Sequence, residues 1–86
     1  MSEVTIYTTR FCPFCVRAKA LLANKAVDFE EIAVDQDMQK RQEMMEKAGR
    51  HTVPQIWVGE THIGSCDELY MLERAGKLDD LLNKDS

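Results

Sequence analysis

The chain's 86 residues make one domain, residues 1–86, near the lower size limit for independent folding. Its 44% hydrophobic and 30% charged residues suit an ordinary soluble globule, and 15 acidic against 11 basic side chains leave a net charge of −4. That balance argues against nucleic acid and anionic membranes as partners, and no run approaches the roughly 18 apolar residues of a membrane span.

The first segment, EVTIYTT (residues 3–9), is β-branched and aromatic, with Val4 and Ile6 on one face and Thr5 and Tyr7 on the other, so it reads as a strand. Pro13 suits the first turn of a helix, where a missing N–H costs nothing, and VRAKALLANK continues that helix. Cys15, Ala18 and Leu22 fall on one helical stripe. VDFEEIAV reads as a second strand with Val27, Phe29, Ile32 and Val34 inward. Asp37 caps a helix through MQKRQEMMEKA, whose apolar stripe is Met44, Met45 and Ala48 and whose stop is Gly49. PQIWVG and ETHIG form a hairpin turning near Gly59 and Glu60. Ser65 and Glu68 form a capping box for a third helix, CDELYMLERA, ending at Gly76, and Leu78, Leu81 and Leu82 suggest a short last helix. The order β-α-β-α-β-β-α, a right-handed crossover between the first two strands and an antiparallel hairpin predict an α/β fold: a four-stranded mixed sheet with helices on both faces.

Chemistry concentrates in FCPFCVR, residues 11–17, where the first strand hands over to the first helix, at the strand's carboxyl end. The N-terminus, MSEVTIYTTR, has neither a basic leader nor an apolar block, so no signal peptide and a cytoplasmic location are expected. In that compartment a close cysteine pair is more often catalytic or metal-binding than structural, and three cysteines cannot all pair internally. Cys12 at the N-cap faces the free N–H groups and positive dipole end of the helix, which favour a thiolate. Arg10 and Arg17 add positive charge nearby. Cys15, a turn further in, is expected to be more buried and to keep its proton, so an exposed nucleophile is paired with a shielded resolving thiol. Zinc competes for the same spacing but needs four ligands. The only reserves are Cys66, His62 and His51, and there is no second C-x-x-C or H-x-x-x-H. A structural disulfide across two residues would stabilise little.

CPFC after a strand, RAKALL, TVPQI at 52–56 and GSCDEL at 64–69, in this order and spacing across the whole chain, resemble the glutaredoxins, small dithiol proteins of bacteria with a thioredoxin-like fold. Phe14 stands where that family most often has tyrosine, G-S-C-D-E replaces its usual G-G-x-D-D, and Thr8, Thr9 and Arg10 occupy the region where it commonly has a lysine. The resemblance implies a glutathione-dependent thiol–disulfide oxidoreductase acting on disulfide-bearing and glutathionylated proteins. Glutathione is then a co-substrate, no cofactor is tightly bound, and the protein is a monomer. Pro54 by itself reads equally as a strand starter or a cis residue; the resemblance implies cis, with the Val53 N–H and C=O turned toward the cysteines for an extended peptide. Thr52, Val53, Pro54 and Phe14 would then line the glutathione site. The N–H groups at Gly64, Ser65, Cys66 and Asp67 would hold its γ-glutamyl carboxylate, the Asp67 side chain its ammonium and Arg41 its glycyl carboxylate. Helix capping alone would equally explain Ser65 and Asp67, and a solvated charge Arg41.

Other residues read as ordinary: Trp57 and Phe29 as strand core, Met44 and Met45 as core filling, His51 and His62 as surface near the site. Cys66 reads as a small buried hydrophobe that its position also makes an oxidation candidate. The rival function is an iron–sulfur carrier held by Cys12 and glutathione from two chains, against which the rigid Pro13 speaks.

Overall fold

The computed structural model describes residues 3–83. In chain order the elements are β1 (Val4–Thr8), α1 (Pro13–Asn24), β2 (Phe29–Ala33), α2 (Met38–Ala48), β3 (Gln55–Val58), β4 (Thr61–Gly64), α3 (Cys66–Arg74) and α4 (Leu78–Asn83). The strands lie side by side as β2-β1-β3-β4. β1 runs parallel to β2, with Val4 opposite Phe29, and antiparallel to β3, with Ile6 opposite Ile56; β3 and β4 form the expected hairpin. The predicted four-stranded mixed sheet is therefore what the chain forms.

Alternation along the strands divides the core in two. Val4 and Ile6 of β1, Ile56 and Val58 of β3 and Ile63 of β4 point to one face, where Ala18, Leu21 and Leu22 of α1, Leu69 of α3 and Leu78 and Leu82 of α4 cover them. Tyr7 and Trp57 point to the other face and meet Met44 of α2 and Val34, with Ile32, Ala48 and Val53 at the edge. The two halves of the second strand thus serve different faces, Phe29 the first and Ile32 the second.

The central strands are apolar on both faces because helices lie on both, so Tyr7 is only 1% exposed although it sits beside threonines. Met44 is fully buried, but Met45 is more than a third exposed. That corrects the predicted stripe: adjacent helical positions are about 100° apart, and only Met44 faces the sheet. His62 is also not a surface residue. It is half-buried, stacked on the Trp57 ring at 4.6 Å between centroids.

Candidate active site

Cys12 is the N-cap of α1: its backbone is extended and Pro13 follows at the start of the helix. The Cys15 N–H donates to the Cys12 sulfur over 3.1 Å, so the sulfur takes the place that a serine or aspartate oxygen has in an ordinary cap. The positive end of the helix therefore meets a sulfur. All three cysteines are free thiols.

Burial separates the pair less than the sequence predicts. Cys12 is only 9% exposed, because the 52–54 segment folds across it: its thiol donates to the Val53 carbonyl at 3.9 Å. Cys15 is 1% exposed. Burial first, and then its hydrogen bond with Cys12, push the Cys15 thiol up to about 12, against weaker opposing pulls from the Thr9 backbone and Lys19. Cys15 is a thiol at neutral pH, as expected.

The cations expected to serve Cys12 have other partners. Arg10 Nε sits 2.8 Å from Asp35 Oδ2 and holds that carboxyl below its usual range. The Arg17 guanidinium lies over the Tyr70 ring at 5.1 Å. Thr8 is buried and donates to Glu31 Oε2 at 2.7 Å, where Lys19 also lands at 2.9 Å.

Next to Val53 is a pocket of about 120 Å³ lined by Phe14, Val53, Pro54, Ser65, Cys66 and Asp67. The start of α1, the 52–54 segment and the start of α3 thus converge, and the Val53–Pro54 peptide is cis. Phe14 is half-exposed at the rim and Asp67 is exposed, whereas Cys66 is 2% exposed and burial raises its thiol. The other predicted site residues stand outside this lining. Thr52 is exposed, and its carbonyl and hydroxyl both accept from Gln55 Nε2. Gly64 is buried behind the α3 cap. Arg41 projects from α2 to the same loop and donates to the His51 carbonyl at 3.3 Å. The expectation for the α3 N–H groups also needs correction. The Ser65 N–H is already given to Glu68 at 2.8 Å, so Cys66 and Asp67 carry the first helical donors with no intrahelical acceptor.

Two contributors are invisible to motif reading. Gln55 is fully buried and ties Thr52 to His62, whose Nε2 lies 2.8 Å from Gln55 Oε1. Its signal was a polar residue at an inward strand position, which requires partners that the sequence does not name. Arg50 meets Glu68 from 18 residues away, and nothing local marks that pairing. A larger groove of about 450 Å³, between β4, α3 and α4, contains no cysteine and none of the Cys12 environment.

Comparison with known proteins agrees with this geometry. The glutaredoxin family model matches residues 4–63. A glutaredoxin of Pseudomonas aeruginosa is 61% identical over 83 residues, covering 96% of this chain and 99% of that protein. The solution structure of a Brucella melitensis glutaredoxin superposes with a TM-score of 0.88 at 51% identity, covering 100% of this chain and 94% of the other. A buckwheat glutaredoxin–glutathione complex gives 0.89 at 27% identity, covering 96% and 78%. With this match and a cysteine pair built into a helix cap at the end of a central strand, the chain belongs to the glutaredoxin family of thiol–disulfide oxidoreductases.

Proposed function

We propose that the protein reduces protein disulfides and protein–glutathione mixed disulfides at the expense of glutathione, with Cys12 as nucleophile and Cys15 as resolving thiol. The observation that carries this reading is the hydrogen bond from the Cys15 N–H to the Cys12 sulfur, beside a Cys15 thiol held protonated. On a glutathionylated substrate the Cys12 thiolate attacks the glutathionyl sulfur. A bond forms between the two, the substrate's thiolate leaves and takes a proton, and a second glutathione thiolate displaces Cys12 to give glutathione disulfide. On a protein disulfide the first product is a mixed disulfide with Cys12. Cys15 then gives up its proton and attacks the Cys12 sulfur, releasing the reduced substrate, and two glutathiones reopen the Cys12–Cys15 bond. Couples of this kind lie at about −200 to −230 mV, close to the glutathione pool, so either direction is accessible.

Glutathione in this reading is an extended peptide along Val53. Its γ-glutamyl carboxylate meets the Cys66 and Asp67 N–H groups, its ammonium the Asp67 side chain and its glycyl carboxylate Arg41, with Phe14, Thr52 and Pro54 beside it and Gly64 and Ser65 behind. The complex formed by the buckwheat relative supports this choice of ligand. The protein works as a one-domain cytoplasmic monomer whose protein partners carry disulfides or glutathione. No helix of the described residues is long and apolar enough to cross a membrane.

Kinetics on a glutathionylated peptide test the roles. Cys12→Ser abolishes turnover, whereas Cys15→Ser retains it, because that cycle needs one thiol. A Cys15→Ser protein inactive on the glutathionylated peptide would show that the one-thiol route is not the mechanism.

A further inference from the structure

The chemistry above leaves unused a two-point ion pair beside the pocket. Arg50 precedes the 51–54 loop, and Glu68 lies in the first turn of α3. Arg50 Nη1 and Nη2 donate to Glu68 Oε1 and Oε2 at 2.6 and 2.8 Å, a fork that fixes direction as well as distance. Glu68 Oε1 also accepts from the Ser65 N–H at 2.8 Å and the Ser65 hydroxyl at 3.0 Å. Gly64 makes the space: its φ is +114°, and the Glu68 carboxylate sits where a side chain on residue 64 would begin. Arg50, and after it the Ser65 N–H, hold the Glu68 carboxyl down at about 2, so it is an anion wherever the enzyme works.

That anion occupies one donor at the mouth of α3 while the ligand's carboxylate is assigned to the next two. Consecutive residues are only about 3.8 Å apart, so two carboxylates would stand close enough to disfavour each other's charge. The guanidinium of Arg50 faces Glu68 at the same place and cancels its charge.

We propose that Arg50 is a positioning and specificity residue for glutathione: paired in two places with Glu68, it neutralises the α3 entrance so that a second carboxylate, that of the γ-glutamyl group, is accepted beside it. The proposal deepens the glutathione-dependent reading and rests on it. It distinguishes a charge role from a plain helix cap, because Glu68→Gln keeps an amide oxygen for the Ser65 N–H while removing the charge that Arg50 offsets.

Steady-state kinetics on a glutathionylated but otherwise uncharged peptide, with thermal unfolding of each variant, test it. Arg50→Gln raises KM about three- to tenfold, the scale of a partly exposed charge, with kcat within about twofold. The increase shrinks in high salt. Arg50→Lys keeps a cation and stays near wild type. Adding Glu68→Gln to Arg50→Gln brings KM back to within about twofold of wild type, and Glu68→Gln alone leaves KM no higher than wild type. An unchanged KM in Arg50→Gln, or a double variant as impaired as the single one, overturns the proposal and leaves the pair a structural clamp. If Arg50→Gln does not fold, Glu68→Gln decides: a raised KM in a folded Glu68→Gln protein overturns the proposal, and an unchanged or lowered one upholds it. Wild-type protein that turns over the glutathionylated peptide no faster than Cys12→Ser overturns the glutathione reading, and this proposal with it.

Discussion

A sulfur at a helix cap makes two contacts: it accepts from a backbone donor of α1 and lies 3.9 Å from the carbonyl of Val53, a residue that lines the neighbouring pocket. Because the donor is the Cys15 backbone N–H, the contact survives Cys15→Ser, which is why that substitution is a clean test of roles. Asp67 offers a second test at this scale. It is exposed at the pocket rim, so Asp67→Asn raises KM for a glutathionylated peptide by about two- to fivefold, an effect that shrinks in high salt. A small neutral disulfide, without charged ends, reacts nearly as before; equal loss on both substrates would assign Asp67 to the helix cap. His62 gives a spectroscopic test. Burial, and then the charge of Arg50, lower its pKa. Its ring resonances in an NMR titration therefore move with a midpoint below the ordinary histidine value of about 6.5. A midpoint at or above that value would contradict the buried stack on Trp57.

At the scale of elements, α1 and α3 end in the same way with different residues. In α3 the Gly76 N–H bonds to the Glu73 carbonyl and the Lys77 N–H to the Leu72 carbonyl; in α1 the Ala26 N–H bonds to Ala23 and the Val27 N–H to Leu22. Both are Schellman caps, which need a left-handed residue after the cap. Gly76 takes φ 72° without penalty, but Ala26 is held at φ 56°. The hydrophobic contact of Val27 with the core on the far side of that turn compensates, as Val27 and Leu22 belong to one cluster. Ala26→Gly consequently gains up to about 1 kcal/mol in urea unfolding, the left-handed cost relieved less the extra entropy of an unfolded glycine. Gly76→Ala loses about the same amount. Opposite signs at two copies of one motif are the check; equal signs would mean that neighbouring contacts, not backbone conformation, set the outcome.

Across the molecule, charge placement predicts how stability follows pH. Glu68 is held at about 2 by Arg50 and Ser65, and Glu31 and Asp35 are lowered by Thr8 with Lys19 and by Arg10. Groups lowered on folding contribute stability above their unfolded values, near 4, and lose it as pH falls toward 2. Cys15 and Tyr7 behave in the opposite sense. Both are raised to about 12, chiefly by burial, so their contribution is whole below their unfolded values of 9.0 and 10.0 and is lost as pH climbs toward 12. Urea midpoints should therefore be flat from about pH 7 to 9 and fall on both sides, and Glu68→Gln should flatten the acid limb. An acid limb unchanged by Glu68→Gln would show that the Arg50 pair does not couple to folding. The apolar core contributes more to stability than these charges do: Leu22→Ala, at a fully buried position, costs about 2–5 kcal/mol by urea denaturation.

Local chemistry determined much of this protein from its sequence alone. Alternation placed the strands, Asp37 and Gly49 bounded α2 at both ends, and Pro13 after Cys12 marked a helix beginning on a thiol. Each of these signals acts within a few residues, where periodicity and capping operate. Tertiary structure decided what depends on partners distant in the chain. Val53 closes over Cys12 from 41 residues away and removes the exposure that its N-cap position predicts. Asp35 takes up Arg10 from 25 residues away, so a cation adjacent in sequence to Cys12 has its own carboxylate partner. Met45 and His62 exchange the expected roles of core and surface, because burial depends on which neighbour a side chain meets and not on how apolar it is. Arg50 and Glu68 find each other across the hairpin, which sets a cation beside the carboxylate that the local capping box had already aimed at the Ser65 N–H. No pattern in the chain encodes the Arg50 partnership, since it arises only when the sheet brings the two sides of the pocket together.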